Sequence, residues 1–84
     1  MKWALLIANR AKRQFRRLSP TERDAIDQAL SEISDNPFQG DVKFLRGLDT
    51  LRRRVGDWRI LYDLDQVRRI IRVTAIKRRG SNTY

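Results

Sequence analysis

The sequence contains no cysteine and no histidine. Without cysteine the chain can form neither disulfide bonds nor a thiolate metal site. The absence of histidine removes the commonest metal ligand and the usual general base near neutral pH. These absences argue against metal-dependent hydrolysis and against catalytic triads built on histidine. We therefore expect a protein that uses no metal.

Long apolar segments are also missing. The N-terminal run KWALLIA, residues 2–8, is too short for a signal peptide and is not followed by a small-residue cleavage pattern. No other run approaches the length of a membrane span. A chain of 84 residues has room for one small core. The sequence therefore predicts a single domain over residues 1–84 that is cytoplasmic and does not bind membranes.

Acidic residues are few and are concentrated in one part of the chain. There are 10 of them against 19 basic residues, which gives a net charge of +9. Five acids fall within residues 22–35, whereas twelve basic residues fall within residues 43–84. Such asymmetry favours a surface that meets nucleic acid or a ribonucleoprotein. The alternatives are a basic surface that only keeps the protein in solution, and a membrane-binding amphipathic helix. The second is disfavoured because the arginine-rich segments resemble strands.

The pattern of apolar residues predicts an α+β fold with the element order β-α-α-β-β-β. Residues 2–8 form a strand, and Asn9 caps a helix that ends near Leu18. The run Ser19-Pro20-Thr21-Glu22 is a capping box that starts a second helix, which ends before Asn36-Pro37 and forms an antiparallel hairpin with the first. Residues 51–55, 58–64 and 69–76 then form a three-stranded antiparallel meander, and residues 42–45 a short extended segment before it.

Alternation along these strands suggests a cluster of arginines. If the pleat is regular, the sheet face away from the helices carries Arg52, Arg54, Arg59 and Arg78, with Lys77 pointing away from Arg78. A β-bulge would change this assignment. Guanidinium groups match phosphate oxygens and keep their charge near neutral pH, so such a cluster would suit an RNA backbone. The alternative is a solvated face whose arginines pair with acids, namely Asp49, Asp57, Asp63 or Asp65. Tyr62 and Trp58 are predicted to pack in the core.

Three segments resemble the RelE/ParE superfamily of toxins from toxin–antitoxin systems: FLRGL at 44–48, RRRVGDWRILYDLD at 52–65 and IKRRGSNTY at 76–84. The spacing of the last segment favours the RelE branch, which cuts mRNA in the ribosomal A site by attack of a ribose 2′-hydroxyl on the adjacent phosphate. The resemblance implies a cognate antitoxin as partner and no cofactor. It assigns the catalytic positions to Arg52, Arg54, Arg59, Arg78 and Tyr84. The neighbouring basic residues Lys43, Arg46, Arg53, Lys77 and Arg79 are predicted to bind RNA.

Two departures from the RelE pattern keep other functions open. RelE has lysines where this chain has Arg52 and Arg54, and guanidinium is a poor base because its pKa lies above about 12. In addition, Tyr84 is the last residue, which places a carboxylate beside the anion site. One alternative is a ParE-like inhibitor of DNA gyrase. The other is a catalytically weak family member that mainly binds its antitoxin.

Overall fold

The structure is a computed structural model that describes residues 3–47 and 49–78. Within this part of the chain, a strand is followed by two helices and four further strands. The elements are β1 (Ala4–Ile7), α1 (Asn9–Arg16), α2 (Pro20–Asp35), β2 (Val42–Arg46), β3 (Thr50–Val55), β4 (Trp58–Asp65) and β5 (Ile70–Arg78).

The strands form one five-stranded sheet in the order β1-β5-β4-β3-β2. Strand β1 is parallel to β5, and the other pairs are antiparallel. The α+β class and the element order agree with the prediction, but the three-stranded meander was wrong. Residues 42–46 form a full edge strand, and β1 joins the sheet at the other edge. Strands β1 and β2 have four and five residues. So short a segment shows too little alternation of apolar and polar residues to predict which strand it pairs with.

The start of α2 follows the sequence closely. The Ser19 hydroxyl accepts a hydrogen bond from the Glu22 amide (3.2 Å), and the Glu22 carboxylate accepts one from the Ser19 amide (2.9 Å). The predicted capping box is therefore confirmed. Helix α1, in contrast, begins after Ala8, which has no side-chain cap, and Asn9 is already its first residue. The prediction placed that cap one residue too late.

Both helices cover one face of the sheet, where the core lies. Tyr62 is fully buried there, and its hydroxyl donates a hydrogen bond to the Pro37 carbonyl oxygen (2.5 Å). Its predicted place in the core is confirmed, and Trp58 packs against the same core as predicted. The fully buried apolar side chains of the core come from α1, α2 and three strands: Ala11, Ile26, Ile33, Leu51, Ile60, Ile71 and Val73.

A β-bulge interrupts the pairing of β4 with β5. Leu61 lies opposite Ala75, whereas the next residue, Tyr62, lies opposite Val73, so Thr74 has no direct partner. The Thr74 hydroxyl donates a hydrogen bond to the Leu61 carbonyl oxygen (3.2 Å) at this point. One extra residue in β5 reverses the alternation of its side chains beyond the bulge.

The reversed alternation decides which residues at the end of β5 meet the core. Ile76, which a regular pleat would have placed on the same side as Arg72, is buried against the helices. Arg78 follows it to the helix side, opposite Trp58. Lys77 points to the other side, opposite Arg59. The predicted pattern of this strand therefore holds only before the bulge.

Candidate nucleic-acid interface

Three of the predicted arginines lie on the sheet face away from the helices. Arg54 in β3 lies directly opposite Arg59 in β4, and Arg59 lies opposite Lys77 in β5. Neighbouring strands are about 4.8 Å apart, so this row of cations crosses three strands within roughly 10 Å. Arg52 lies two residues from Arg54 on the same face. We call these four residues, Arg52, Arg54, Arg59 and Lys77, the arginine face.

Lys43 extends the arginine face toward the edge of the sheet. It lies opposite Arg52 and is exposed, so the structure places this predicted RNA-binding residue beside the cluster. Arg46 lies in the same strand, β2, opposite Thr50. The predicted residues Arg79 and Tyr84 lie outside the described part of the chain.

The cations of the arginine face are only partly hydrated. Arg52, Arg54 and Arg59 are half-buried, and Lys77 is 7% exposed. The Nε atoms of Arg52 and Arg54 are buried and have no hydrogen-bond partner. Arg54 Nε lies 3.8 Å from a carboxylate oxygen of Asp41, but the two side chains are 39% and 62% exposed, so solvent screens this pair and it contributes little. Like charges placed side by side in a sheet are unfavourable. A bound anion would relieve this repulsion.

The acids that were the alternative partners for these arginines make other contacts. An Asp63 carboxylate oxygen accepts a hydrogen bond from the Thr50 hydroxyl (3.1 Å). Asp65 forms an ion pair with Arg68 (3.9 Å), and Asp49 accepts a hydrogen bond from the Gln66 amide (3.4 Å). Thr50 and Asp63 lie on the same sheet face as Arg52, two residues further along β3 and β4, so the Asp63 carboxylate borders the arginine face at its Arg52 end.

Arg53 lies on the opposite side of the sheet from Arg52 and Arg54. Its side chain is 13% exposed, and its Nη2 contacts the Glu32 carboxylate on α2 at 2.5 Å. Gly40, at φ +93°, leaves room for this arrangement, because a Cβ there would lie 2.9 Å from Arg53 Cζ. Arg53 therefore does not belong to the arginine face, and its binding to RNA stays a prediction. Successive side chains of a strand point to opposite faces, and Arg53 takes the inner one.

Arg78 is also separated from the other predicted catalytic arginines. Its Cζ lies 5.7 Å from the centroid of the Trp58 ring, on the helix side. Trp58 Nε1 in turn donates a hydrogen bond to the Glu22 carboxylate (3.2 Å). Hydrogen bonds from the Ser19 backbone amide and from Trp58, together with the charge of Arg78, lower the pKa of Glu22. The predicted convergence of four arginines is thus wrong: three converge, and Lys77 takes the place expected for Arg78.

The described residues contain no group of three or more aspartates and glutamates arranged to hold a metal ion. Among the described helices, none has the length and apolar character needed to cross a membrane. The residues of the arginine face offer fixed positive charge and hydrogen-bond donors, which suit phosphate oxygens.

Known families and structures identify the class of protein. Residues 5–82 match the family model of the ParE toxin of the type II toxin–antitoxin system parDE. No curated protein matches the sequence. Among solved structures, the fold is similar to the archaeal RelE of the RelE–RelB complex from Pyrococcus horikoshii, with a TM-score of 0.86, 22% identity and coverage of 95% of this chain and 98% of that chain.

Two further structures share the fold. The isolated RelE toxin of Escherichia coli has a TM-score of 0.82 and 18% identity, over 96% of this chain and 88% of that chain. The YoeB/ParE toxin from Agrobacterium tumefaciens has a TM-score of 0.76 and 16% identity, over 89% and 96% of the two chains. At these identities the likeness concerns the fold, whereas the family model spans nearly the whole sequence. The chain therefore belongs to the RelE/ParE superfamily and is a toxin of a type II toxin–antitoxin system.

Proposed function

We propose that this toxin is a RelE-type endoribonuclease that cuts mRNA in the ribosomal A site and so inhibits translation. The observation that supports this proposal is the row of Arg54, Arg59 and Lys77 across three strands, with Arg52 beside it. The Nε atom of Arg52 is buried and has no hydrogen-bond partner, and an oxygen of a bound phosphodiester would accept a hydrogen bond from it. The chain belongs to a superfamily in which solved relatives bear the name RelE.

The reaction is a transfer of the phosphoryl group within the RNA. The ribose 2′-oxygen forms a bond to phosphorus while the bond from phosphorus to the 5′-oxygen of the next nucleotide breaks. The products are a 2′,3′-cyclic phosphate and a 5′-hydroxyl group. Negative charge grows on the phosphorus oxygens in the transition state, and Arg52, Arg54 and Arg59 would stabilise it. Each such donor is typically worth about 10²–10³ in rate.

The proton of the 2′-hydroxyl needs an acceptor that arginine cannot provide. Lys77 is the lysine that the fold places within the arginine face, whereas Lys43 stands at its exposed margin. A lysine amine in its neutral form is a base, so Lys77 is the candidate acceptor. The alternative is that the ribosome positions the RNA and the reaction depends on charge stabilisation alone.

The proposed partner that restrains this activity is a cognate antitoxin. Several solved relatives are toxin–antitoxin complexes. An antitoxin segment with acidic residues would cover the arginine face and exclude RNA from it, because the surface is strongly cationic. Binding to the arginine face would account for inhibition without any change in the fold.

Two observations favour a second candidate, a ParE-like inhibitor of DNA gyrase. The family model that matches is that of ParE, and Arg78 lies apart from the three arginines with which it would form the RelE set. In this case the protein would be a binding inhibitor with no chemical step of its own.

Induction of the toxin in bacteria distinguishes the two functions. We expect arrested translation, with mRNA ends mapping to A-site codons on ribosomes, and no DNA breaks. The Arg59→Gln variant should lose these cleavages, whereas Arg68→Gln, which removes the same charge beside Asp65, should keep them. DNA breaks and an SOS response without mRNA cleavage would replace the proposal with gyrase inhibition.

A further inference from the structure

Helix α1 carries a second basic surface that the arginine face does not include. The helix has no acidic residue in its sequence, NRAKRQFR. Five basic residues, all exposed, lie on it or directly after it: Arg10, Lys12, Arg13, Arg16 and Arg17. A solvated helix face usually mixes both signs of charge, because like charges at this spacing repel one another. A negatively charged binding partner would relieve the repulsion among these basic residues of α1.

The contacts of Gln14 show how α1 lies against the sheet. Its side-chain oxygen accepts a hydrogen bond from the backbone amide of Ile76 in β5 (2.6 Å). Strand β1 pairs with β5 only as far as Val73, and the Ala8 amide donates the last hydrogen bond to the Val73 carbonyl oxygen (2.9 Å). Beyond Val73, α1 takes the place of β1 along this edge of β5. The Gln14 side of the helix thus faces the strand that carries Lys77.

Arg10 and Arg17 share this side of α1. They lie four residues before and three residues after Gln14, spacings that bring side chains to one helix surface. The Arg17 amide donates a hydrogen bond to the Gln14 carbonyl oxygen (3.2 Å), so the helical path continues through Arg17. Arg10 and Arg17 therefore stand beside the edge of β5, where the row of Arg54, Arg59 and Lys77 ends.

Lys12 and Arg16 lie on the other side of α1. They line an open cavity of about 200 Å³ together with Phe15 and with Asp27 of α2. A carboxylate is thus close to this pair, and apolar side chains form the floor. The two pairs of basic residues on one helix have different surroundings, which makes the second pair a matched control for the first.

We propose that Arg10 and Arg17 bind the phosphate backbone of structured RNA and extend the arginine face around the edge of β5. The combined strip runs over three strands and the width of a helix, roughly 20 Å. A strip of this length spans several phosphates of one RNA strand. In the proposed function, on which this inference rests, the strip holds the ribosomal RNA around the bound message while the arginine face acts on the message itself.

The surroundings of Arg10 and Arg17 favour RNA over an antitoxin segment. An amphipathic protein segment would need an apolar surface to bury its own apolar side chains. Of the large exposed apolar side chains among the described residues, Leu6 lies in β1 opposite Arg72, and the others, Phe38, Phe44, Leu45 and Val67, lie in segments distant from α1 in the chain. A surface of arginine without an apolar component matches a backbone that presents only phosphate and ribose.

The test compares two double variants of the whole toxin with equal net charge, Arg10→Gln/Arg17→Gln and Lys12→Gln/Arg16→Gln. Binding is measured by fluorescence anisotropy with a labelled RNA stem–loop of arbitrary sequence that carries 2′-O-methyl groups, which prevent cleavage, across a series of salt concentrations. Each lost phosphate contact lowers the slope of log K against log salt by about 0.7–0.9. We expect the first variant to lose about 1.5 in slope and about tenfold in affinity at low salt. The second should stay near the wild-type protein, as should Arg10→Lys/Arg17→Lys.

Equal losses in the two glutamine variants would overturn the inference, since they would reflect net charge alone. No binding of the stem–loop by the wild-type protein would also overturn it. Loss of binding to poly-glutamate but not to RNA in the first variant would reassign the surface to an acidic protein. Because the RNA cannot be cut, the proposed endoribonuclease activity can fail while this inference stands. Conversely, unchanged RNA binding in a toxin that cuts mRNA would reject the inference alone.

Discussion

Arg78 and Trp58 lie opposite each other across β4 and β5, with the guanidinium carbon 5.7 Å from the centroid of the indole ring. This contact lies on the helix side of the sheet and is separated from Arg59 by the sheet itself. The bulge at Thr74 is the reason, because it turns Arg78 inward and Lys77 outward. Arg59 and Arg78, which the sequence placed in one catalytic group, therefore have different surroundings. Substitution of one should have different effects from substitution of the other.

We expect Arg59→Gln to reduce ribosome-dependent cleavage much more than Arg78→Gln. Loss of a donor on the arginine face should lower the single-turnover rate by about 10²–10³. Arg78→Gln removes a contact with Trp58 that is worth about 0.5–1 kcal/mol in stability and should change the rate by less than about tenfold. Single-turnover cleavage on programmed ribosomes and chemical unfolding measure the two effects. Equal rate losses would show that Arg78 reaches the substrate.

Exchange of arginine and lysine at positions 54 and 77 tests which group accepts the proton of the 2′-hydroxyl. We expect Arg54→Lys to raise the cleavage rate, because it introduces a group that can accept a proton beside Arg59. Lys77→Arg should lower the rate, by about 10²–10⁴ if Lys77 is the general base. The pH dependence of the rate is the decisive measurement, since the limb that reports the base should disappear in Lys77→Arg. Unchanged rate and pH profile in both variants would mean that the reaction needs no protein base.

The contact between Arg53 and Glu32 is expected to stabilise the fold without taking part in catalysis. Glu32→Gln leaves the guanidinium of Arg53, 13% exposed, without its carboxylate. Because Glu32 itself is half exposed, we expect a loss of about 1–2 kcal/mol in the free energy of unfolding, below the cost of breaking a fully buried pair. A double-mutant cycle with Arg53→Gln measures the coupling. Loss of cleavage in a folded Arg53→Gln protein would contradict this assignment.

Tyr62→Phe should destabilise the protein at neutral pH and change its behaviour in alkali. The variant leaves the Pro37 carbonyl oxygen without its donor, at a cost of about 1–3 kcal/mol. Burial raises the pKa of Tyr62 to about 12 from 10.0. The unfolded chain therefore ionises first, and the stability contributed by this group is complete below pH 10.0 and is lost as the pH rises toward 12. The difference between wild-type and variant proteins in the free energy of unfolding should shrink over that interval.

The Glu22 carboxylate of the capping box should stabilise the protein at neutral pH and lose this effect in acid. Ser19→Ala is expected to cost about 1 kcal/mol in the free energy of unfolding. The pKa of Glu22 is lowered from 4.5 by the Ser19 amide first and by Trp58 next. Its contribution is therefore present above pH 4.5 and is lost as the pH falls through the pKa of the folded state. Glu22→Gln should be less stable than wild type at pH 7 and equal to it in strong acid. Asp24→Asn, on the exposed side of the same helix, serves as the control.

The elements of the fold could be predicted from local signals, while their arrangement could not. Ser19 and Glu22 lie three residues apart, so their reciprocal hydrogen bonds could be predicted from the sequence and are confirmed. The strands at residues 51–55 and 58–64 were predicted to within a residue at each end. The pairing of β1 with β5 joins segments more than sixty residues apart, and no local pattern encodes such a contact. For the same reason the pairing of β2 with β3 at the edge of the sheet could not be predicted from the sequence.

By itself the sequence determined the class of protein and the strong excess of positive charge on the chain. The resemblance of three segments, residues 44–48, 52–65 and 76–84, indicated a RelE/ParE toxin, and this membership is confirmed. Only the tertiary structure decided which cations meet. A single unpaired residue, Thr74, reverses the side-chain alternation of β5, and no residue type marks a bulge in advance. For that physical reason Lys77 completes the arginine face and Arg78 does not.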